Sequence, residues 1–169
     1  MARTAVTMAI AAFFLVFSLT TGLNAWAGHS NDAAALKGLK QGKGIFLLNV
    51  DSPQKAALYL NIINDTHKTI AAQKVKPDFI IVFVGSTVRF LTTEPDAELA
   101  DKQKEVLASI AASIKGLKEK GVKMEICEIA TNFFKVSNDK LLPELKLIGN
   151  GFTSLIGYQS KGYGLVPIF

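Results

Sequence analysis

Hydrophobic runs of strand length alternate with helical patterns along most of this chain. The runs at 45–50 and 79–84 are almost wholly apolar, which is typical of strands that are covered on both faces. A third run at 122–127 and two shorter ones at 144–148 and 165–168 are further strand candidates. Buried strands that are separated by helices pair in parallel. The pattern therefore predicts an α/β three-layer sandwich with a mostly parallel sheet of about five strands.

Helical spacing fills the intervals between these runs. A helix is predicted to begin at 51–53, where Asp or Ser can cap it and Pro is tolerated in the first turn, and to continue to Ile70. A long helix is predicted over 96–120, ended by Gly121, and a last one over 152–161. The remaining stretch before the fourth strand is expected to be a loop with a short helix.

The N-terminus has the pattern of an export signal. Arg3 is followed by an uncharged apolar stretch over 5–19, and Ala25-Trp26-Ala27 has the small-x-small form that signal peptidase accepts. The apolar stretch is shorter than the roughly 20 residues that span a bilayer. We therefore expect a signal peptide over 1–27, cleavage after Ala27, and a periplasmic or secreted protein with no stable membrane span after cleavage.

The mature chain is one domain in size. Removing 27 residues from 169 leaves 142, enough for a single sizeable core. Residues 28–43 are small, polar and dotted with glycine, so we expect a flexible lead-in there and the domain over 44–169. Basic charge comes from scattered lysines, with Arg89 the only arginine after Arg3. Nucleic-acid binders concentrate such residues on one face, so nucleic acid is not expected as a partner.

Cys127 is the only cysteine and stands at the end of the third predicted strand. One thiol cannot form an internal disulfide, so it is either buried and inert or kept free for chemistry. No cluster of cysteine, histidine and carboxylate has the spacing of a metal site, and no cofactor is predicted. His67 lies in register with the apolar face of its helix, which favours a half-buried histidine over a catalytic base.

Three loops leave the carboxyl ends of the predicted strands, and ligands bind at that edge of an open parallel sheet. They are Gly85-Ser86-Thr87, the loop after Cys127, and Gly149-Asn150-Gly151. Glycines beside hydroxyl groups at the start of a helix can hold an anion through free backbone N–H groups. Ordinary strand-to-helix turns need glycine as well, so both interpretations stay open. Besides Cys127, the ligand-binding candidates are Gly85, Ser86, Thr87, Gly149, Gly151 and Thr153.

The C-terminal third resembles the DsrE/DsrF-like family. The matching segments are 120–127 (KGVKMEIC), 141–143 (LLP), 151–156 (GFTSLI) and 158–163 (YQSKGY). The resemblance covers roughly Gly44 to Phe169.

The resemblance implies a parallel-sheet α/β domain that assembles into oligomers. Several members of the family relay sulfur as a persulfide on a cysteine. Cys127 occupies the position of that cysteine, and Gly151, Gln159, Gly162 and Tyr163 match the closing pattern. We therefore expect an exported sulfur carrier, or sulfurtransferase, that takes sulfane sulfur on Cys127 from a donor protein or passes it to an acceptor.

A different class of function also fits these residues. The chain can be a non-catalytic oligomeric module that binds a small ligand or a partner at the same sheet edge, with Cys127 structural. Glu125 and Glu128 would disfavour a thiolate if they face Cys127. The helix starts at Gly85 and Gly151, together with Arg89 or Lys135, can offset this effect.

The closing segment predicts self-association. It carries more aromatic and apolar surface than one short helix and one edge strand easily bury, at Tyr158, Tyr163, Leu165, Ile168 and Phe169. The alternative is that these residues complete the core of the monomer. We expect a homo-oligomer.

Overall fold

The computed structural model describes residues 32–169. Five strands and six α-helices alternate along this part of the chain, with two 3₁₀ helices between them. The elements are α1 (Ala33–Leu36), β1 (Gln41–Leu48), α2 (Pro53–Ala72), β2 (Lys76–Phe83), the 3₁₀ helix Gly85–Phe90, α3 (Ala97–Lys102), α4 (Lys104–Glu119), β3 (Lys123–Cys127), α5 (Glu128–Phe133), the 3₁₀ helix Asn138–Lys140, β4 (Lys146–Ile148), α6 (Gly151–Gln159) and β5 (Gly164–Ile168).

The five strands form one sheet in the order β4-β3-β2-β1-β5. Every neighbouring pair is parallel. The central strands β1 and β2 have continuous apolar runs, with Ile45, Ile80 and Val82 fully buried. Both faces of these strands are therefore covered, as the lack of apolar-polar alternation predicts. The predicted α/β sandwich with a parallel sheet is confirmed.

Helices cover opposite faces of the sheet. Phe79 of β2 packs on the α2 face, where its ring meets the edge of His67 with centroids 5.6 Å apart. Val82 has the opposite parity on the same strand and faces Gly151 at the start of α6. On the α2 side, α2 and α4 pack against each other, and Leu60 and Ile114 are fully buried there. The sheet thus lies between two helical layers.

The first strand begins four residues before the predicted Ile45. Gln41 pairs with Lys76, and the ladder continues in register to Leu48 opposite Phe83. The sequence pattern did not indicate this extension, because glycines at 42 and 44 resemble a loop. Part of the expected flexible lead-in is therefore strand, preceded by the helical turn α1.

The predicted long helix over 96–120 is divided into α3 and α4. Gln103 separates them with dihedrals (φ −128°, ψ 20°) that are not helical. Gly121 follows α4 at φ +81°, a left-handed conformation that glycine adopts readily, and this confirms the predicted stop. The ambiguous stretch after the third strand contains α5, which starts directly after Cys127.

The edge strand β5 is only partly covered. Tyr163 and Ile168 are buried in the monomer, as the alternative interpretation of the closing segment proposed. Leu165, Val166 and Phe169 remain exposed at 40%, 42% and 68%. The homo-oligomer stays a prediction.

The expected export signal and the start of the lead-in, residues 1–31, lie outside the described residues. Between residues 32 and 169, no helix is long and apolar enough to cross a membrane.

Candidate functional site

A pocket of about 260 Å³ lies at the carboxyl edge of the sheet. Cys127 is the last residue of β3, whose neighbours β2 and β4 end at the same edge because all three strands are parallel. Gly85 follows β2 and Asn150 follows β4, and both line the pocket together with Cys127. The predicted convergence of these three loops is therefore present in the fold.

The sulfur of Cys127 is held by the start of α6. The backbone N–H of Gly151 donates to Sγ across 3.3 Å, and Cys127 is 6% exposed. Asn150 caps the helix, with its Oδ1 accepting from the N–H of Phe152 at 2.9 Å. Partial positive charge at a helix N-terminus and a donated N–H both favour an anionic sulfur. The donated N–H can therefore stabilise a sulfur atom that gains negative charge during a reaction.

Gly151 can approach the sheet this closely because it has no side chain. A Cβ there would lie 2.7 Å from Cγ1 of Val84, 3.3 Å from Cγ1 of Val82 and 3.4 Å from Cβ of Cys127. The first of these distances is closer than carbon atoms tolerate. Glycine therefore brings the helix start within hydrogen-bonding distance of the sulfur.

The walls of the pocket are apolar. Besides the backbone of Gly85 and the amide of Asn150, they consist of aliphatic and aromatic side chains. No charged side chain is among the described residues that line the pocket. At its rim, Phe133 is 77% exposed and Phe152 is 65% exposed. The wall residues are Val84, Ile129, Ala130, Phe133, Phe134 and Phe152.

The hydroxyl groups of Ser86 and Thr87 serve the fold. Thr87 is fully buried, and its Oγ1 accepts from the N–H of Val50 at 2.7 Å and donates to the carbonyl of Val50 at 3.0 Å. Ser86 Oγ donates to the same carbonyl at 3.0 Å. These bonds tie the 3₁₀ helix to the end of β1. Gly85 adopts φ +58°, so glycine suits this turn.

Gly149 and Thr153 are exposed and lie outside the pocket wall. A Cβ at Gly149 would meet no atom within 4 Å. Of the six predicted ligand-binding residues, the structure brings only Gly85 and Gly151 next to Cys127. The described residues of the pocket wall include no basic side chain that could bind an anion. The backbone N–H of Gly151, which was the other candidate donor, already donates to Sγ of Cys127.

Sequence reasoning missed the aromatic wall. Phe133 and Phe134 fall in the stretch that was expected to be mainly loop, and their rings pack edge to face with centroids 5.0 Å apart. Two adjacent phenylalanines in an otherwise polar segment are the signal that points to a surface function there. Asn150 lies in the predicted Gly149–Gly151 loop, and an Asn before a helix is a frequent N-cap.

Glu125 is a buried carboxylate on the same face of β3 as Cys127. It is 5% exposed and accepts hydrogen bonds from two residues of α6: Ser154 Oγ, and Tyr158 Oη at 3.1 Å. These donors lie one and two turns after Gly151, so the carboxylate fixes α6 against β3. The negative charge that was expected to oppose a thiolate is thus engaged by neutral donors.

The other charged residues that were predicted to affect Cys127 either have partners elsewhere or lie outside the pocket wall. Glu128 accepts from Nδ2 of Asn138 at 3.4 Å. Arg89 pairs with Asp96 at 2.8 Å, and this bond lowers the pKa of the Asp96 carboxyl below its ordinary value. Neither Arg89 nor Lys135 lines the pocket. Side-chain cations therefore do not offset the negative charges of Glu125 and Glu128. The contact that stabilises the sulfur of Cys127 is the backbone N–H of Gly151.

Two tyrosines continue the polar network away from the pocket. The rings of Tyr158 and Tyr163 meet edge to face with centroids 5.4 Å apart, and Tyr163 Oη donates to Asp78 at 2.8 Å. Burial, with the Glu125 charge adding to it, raises the pKa of Tyr158. Burial and the bond to Asp78 raise the pKa of Tyr163 to about 12.

We expect the Tyr163 phenol to titrate at about pH 12 instead of the ordinary 10.0. A raised pKa in the folded state means that this group stabilises the fold fully below pH 10 and that the contribution is lost as the pH rises to about 12. A spectrophotometric titration of phenolate, in the wild type and in Tyr163→Phe, isolates this group. A Tyr163 that ionises near pH 10 in the folded protein would contradict the contact with Asp78.

His67 lies at the other end of the sheet. It is half-buried and lines a pocket with Gln41 and Lys76, the first residues of β1 and β2. Burial and the charge of Lys120 lower its pKa. Among residues 32–169 no group of three or more metal-ligating side chains is assembled. His67 is therefore no part of the chemistry at Cys127.

Comparison with known proteins identifies the fold family. The sequence model of the DsrE/DsrF-like family matches residues 43–167. The chain belongs to the DsrE/DsrF-like family. The pocket at the end of β3 is thus the site around the single cysteine of a DsrE/DsrF-like domain. No curated protein matches the sequence significantly.

Two solved structures share the architecture. One is the protein of unknown function MTH1491 from Methanobacterium thermoautotrophicum, with a TM-score of 0.59, and the other is the ychN protein from E. coli, with a TM-score of 0.55. Each is 13% identical in sequence and is matched over 76% of this chain and 100% of its own. At this identity the similarity establishes the fold alone.

Proposed function

We propose that this DsrE/DsrF-like protein is an exported sulfur carrier that accepts sulfane sulfur as a persulfide on Cys127. The observation that carries the proposal is the hydrogen bond from the Gly151 N–H to Sγ, 3.3 Å long, in a pocket that opens at the sheet edge. Nucleophilic sulfur must carry negative charge, and a helix N-terminus is a common way to favour it. Export rests on the pattern of residues 1–27.

The chemistry is an exchange of sulfur–sulfur bonds. The Cys127 thiolate attacks the outer sulfur of a donor R–S–SH, a bond forms between Sγ and that sulfur, and the R–S bond to it breaks. The donor leaves as the thiolate R–S⁻, and Cys127 holds S–SH, which loses its proton to water. Delivery to an acceptor thiol reverses the same exchange, and no external oxidant or reductant is needed.

The pocket favours retention of the added sulfur. Cys127 is 6% exposed, so an attached sulfur atom extends into the space between Phe133, Phe134 and Phe152 instead of bulk solvent. Persulfides decay by exchange with other thiols, and restricted access slows that exchange. The single cysteine also removes any competing internal disulfide.

Intact-mass measurement tests the proposal. The mature protein is incubated with polysulfide, freed of reagent and weighed in its folded state. We expect the wild type to gain the mass of one or more sulfur atoms, which dithiothreitol removes, because the only thiol is accessible through the pocket. Cys127→Ser is the control and gains nothing.

Two outcomes contradict the proposal. One is a wild-type protein that remains unmodified while its unfolded form reacts, which would make Cys127 structural. The other is equal uptake by Cys127→Ser, which would place the sulfur elsewhere. The first outcome supports a non-catalytic module that binds at the same edge.

A further inference from the structure

Building on the proposed function, we propose that the Cys127 pocket reacts faster with an uncharged sulfur partner that has an apolar body, such as a dialkyl polysulfide, than with an anionic partner of similar size. The selectivity follows from the walls of the pocket, independently of whether the cysteine carries sulfur.

The walls offer nothing that pairs with a negative charge. Six of the nine lining residues are aliphatic or aromatic apart from Cys127, and none is basic. Arg89 pairs with Asp96 at 2.8 Å and Lys140 with Glu94 at 2.7 Å, and Lys135, which follows Phe134, does not line the pocket. An anionic group that enters such a pocket loses its hydration without a compensating partner.

The backbone donor does not change this conclusion. The N–H of Gly151 is directed to Sγ, and that of Phe152 is taken by Asn150 Oδ1. These bonds are consistent with a negative charge on the cysteine sulfur. A second, permanent charge on the incoming molecule would add repulsion in a site of low dielectric.

The size of the pocket fits a small apolar body. Its volume is about 260 Å³. An apolar cavity of about 150 Å³ holds benzene. The Cys127 pocket therefore accommodates a benzyl-sized group together with two linked sulfur atoms. The exposed rings of Phe133 and Phe152 extend the apolar contact beyond the mouth.

Methanethiosulfonate reagents measure this selectivity on the folded protein. In the probe reaction the Cys127 thiolate attacks the sulfenyl sulfur, forms a mixed disulfide and releases methanesulfinate. The ethyl reagent is neutral, the 2-sulfonatoethyl reagent is its anionic counterpart, and the benzyl reagent tests size. Each second-order rate is divided by the rate for a neutral small thiol such as N-acetylcysteine amide, which removes intrinsic reactivity.

We expect the normalised rate to be about tenfold higher, or more, for the ethyl reagent than for the sulfonatoethyl reagent, since an unpaired anion is costly to desolvate. The benzyl reagent is expected to react at least as fast as the ethyl one. A normalised ratio near one overturns the proposal, as does failure of all reagents to reach Cys127 in the folded state.

Charge placed on the rim gives a second test with a matched control. Phe133→Lys puts an ammonium group at the mouth, and we expect it to reverse much of the preference against the anionic reagent. Ile156→Lys is the control, because Ile156 is 66% exposed on α6 but is not part of the pocket wall. Equal effects of the two lysines would mean that general surface charge, and not the pocket, sets the ratio.

These measurements separate the two proposals. If Cys127 gains no sulfur from polysulfide or from uncharged elemental sulfur but keeps the preference for neutral reagents, sulfur carriage fails and pocket selectivity stands. If Cys127 gains sulfur and the normalised ratio of the ethyl to the sulfonatoethyl rate is near one, sulfur carriage stands and pocket selectivity fails.

Discussion

Gly151→Ala is expected to destabilise the fold by about 1–3 kcal/mol, the usual cost of overpacking a filled site. The new methyl group would lie 2.7 Å from Cγ1 of Val84, so the start of α6 must move away from β2 and β3. That movement lengthens the contact between the Gly151 N–H and Sγ of Cys127, now 3.3 Å. Loss of this bond is expected to reduce sulfur loading at neutral pH about two- to tenfold, because one hydrogen bond contributes about 0.5–1.5 kcal/mol.

Gly149→Ala is the matched control. It lies two residues earlier in the same loop, and a Cβ there would meet no atom within 4 Å. Denaturant unfolding and intact-mass loading are measured for both variants. If the two alanine variants have equal stability and equal sulfur loading, the close approach of α6 to the sulfur does not require glycine at position 151.

Glu125→Ala is expected to lower the free energy of unfolding by about 2–4 kcal/mol. Bonds to a charged acceptor contribute about 1.5–3 kcal/mol each, and neighbouring bonds are not fully additive. The substitution leaves Ser154 Oγ and Tyr158 Oη without their acceptor and frees α6 from β3. Because Gly151 begins the same helix and donates to Sγ of Cys127, we also expect sulfur loading on Cys127 to become slower.

Glu125→Gln separates position from charge. Its amide oxygen accepts from one of the two hydroxyl groups of α6, and its NH₂ group can donate to the other, so most of the stability and of the loading rate of the wild type is expected to return. Glu119→Ala, an exposed acidic residue at the end of α4, is the control for loss of charge and is expected to change stability by less than about 0.5 kcal/mol. A Glu125→Ala protein that unfolds like the Glu119→Ala protein would contradict the role of the carboxylate.

The core of the fold was predictable from the sequence because buried parallel strands have a strong signal. Apolar runs at 45–50 and 79–84 require cover on both faces, and the helical patterns between them supply it. The beginning of β1 was missed because its glycines at 42 and 44 resemble a loop, whereas their strand conformation is imposed by pairing with β2. The break at Gln103 was missed because apolar spacing continues across it.

The candidate site was predictable only in part. Parallel topology placed Gly85, Cys127 and the Gly149–Gly151 loop at one edge, as observed. The hydroxyls of Ser86 and Thr87 were expected to face a ligand, but local sequence does not reveal that the backbone of Val50 engages them. Contacts between distant segments decide such roles, and the same is true of the bond from Gly151 to Cys127.

Delivery of sulfur from the loaded protein is the most direct test of the central claim. The wild type is loaded with polysulfide, freed of reagent and treated in its folded state with cyanide, which takes a sulfane sulfur as thiocyanate. A carrier on the single thiol predicts one thiocyanate for each sulfur atom that the intact mass shows was gained, return of the protein to its starting mass, and a second cycle of loading with the same yield. No thiocyanate from the folded wild type, or the same yield from Cys127→Ser, would contradict it.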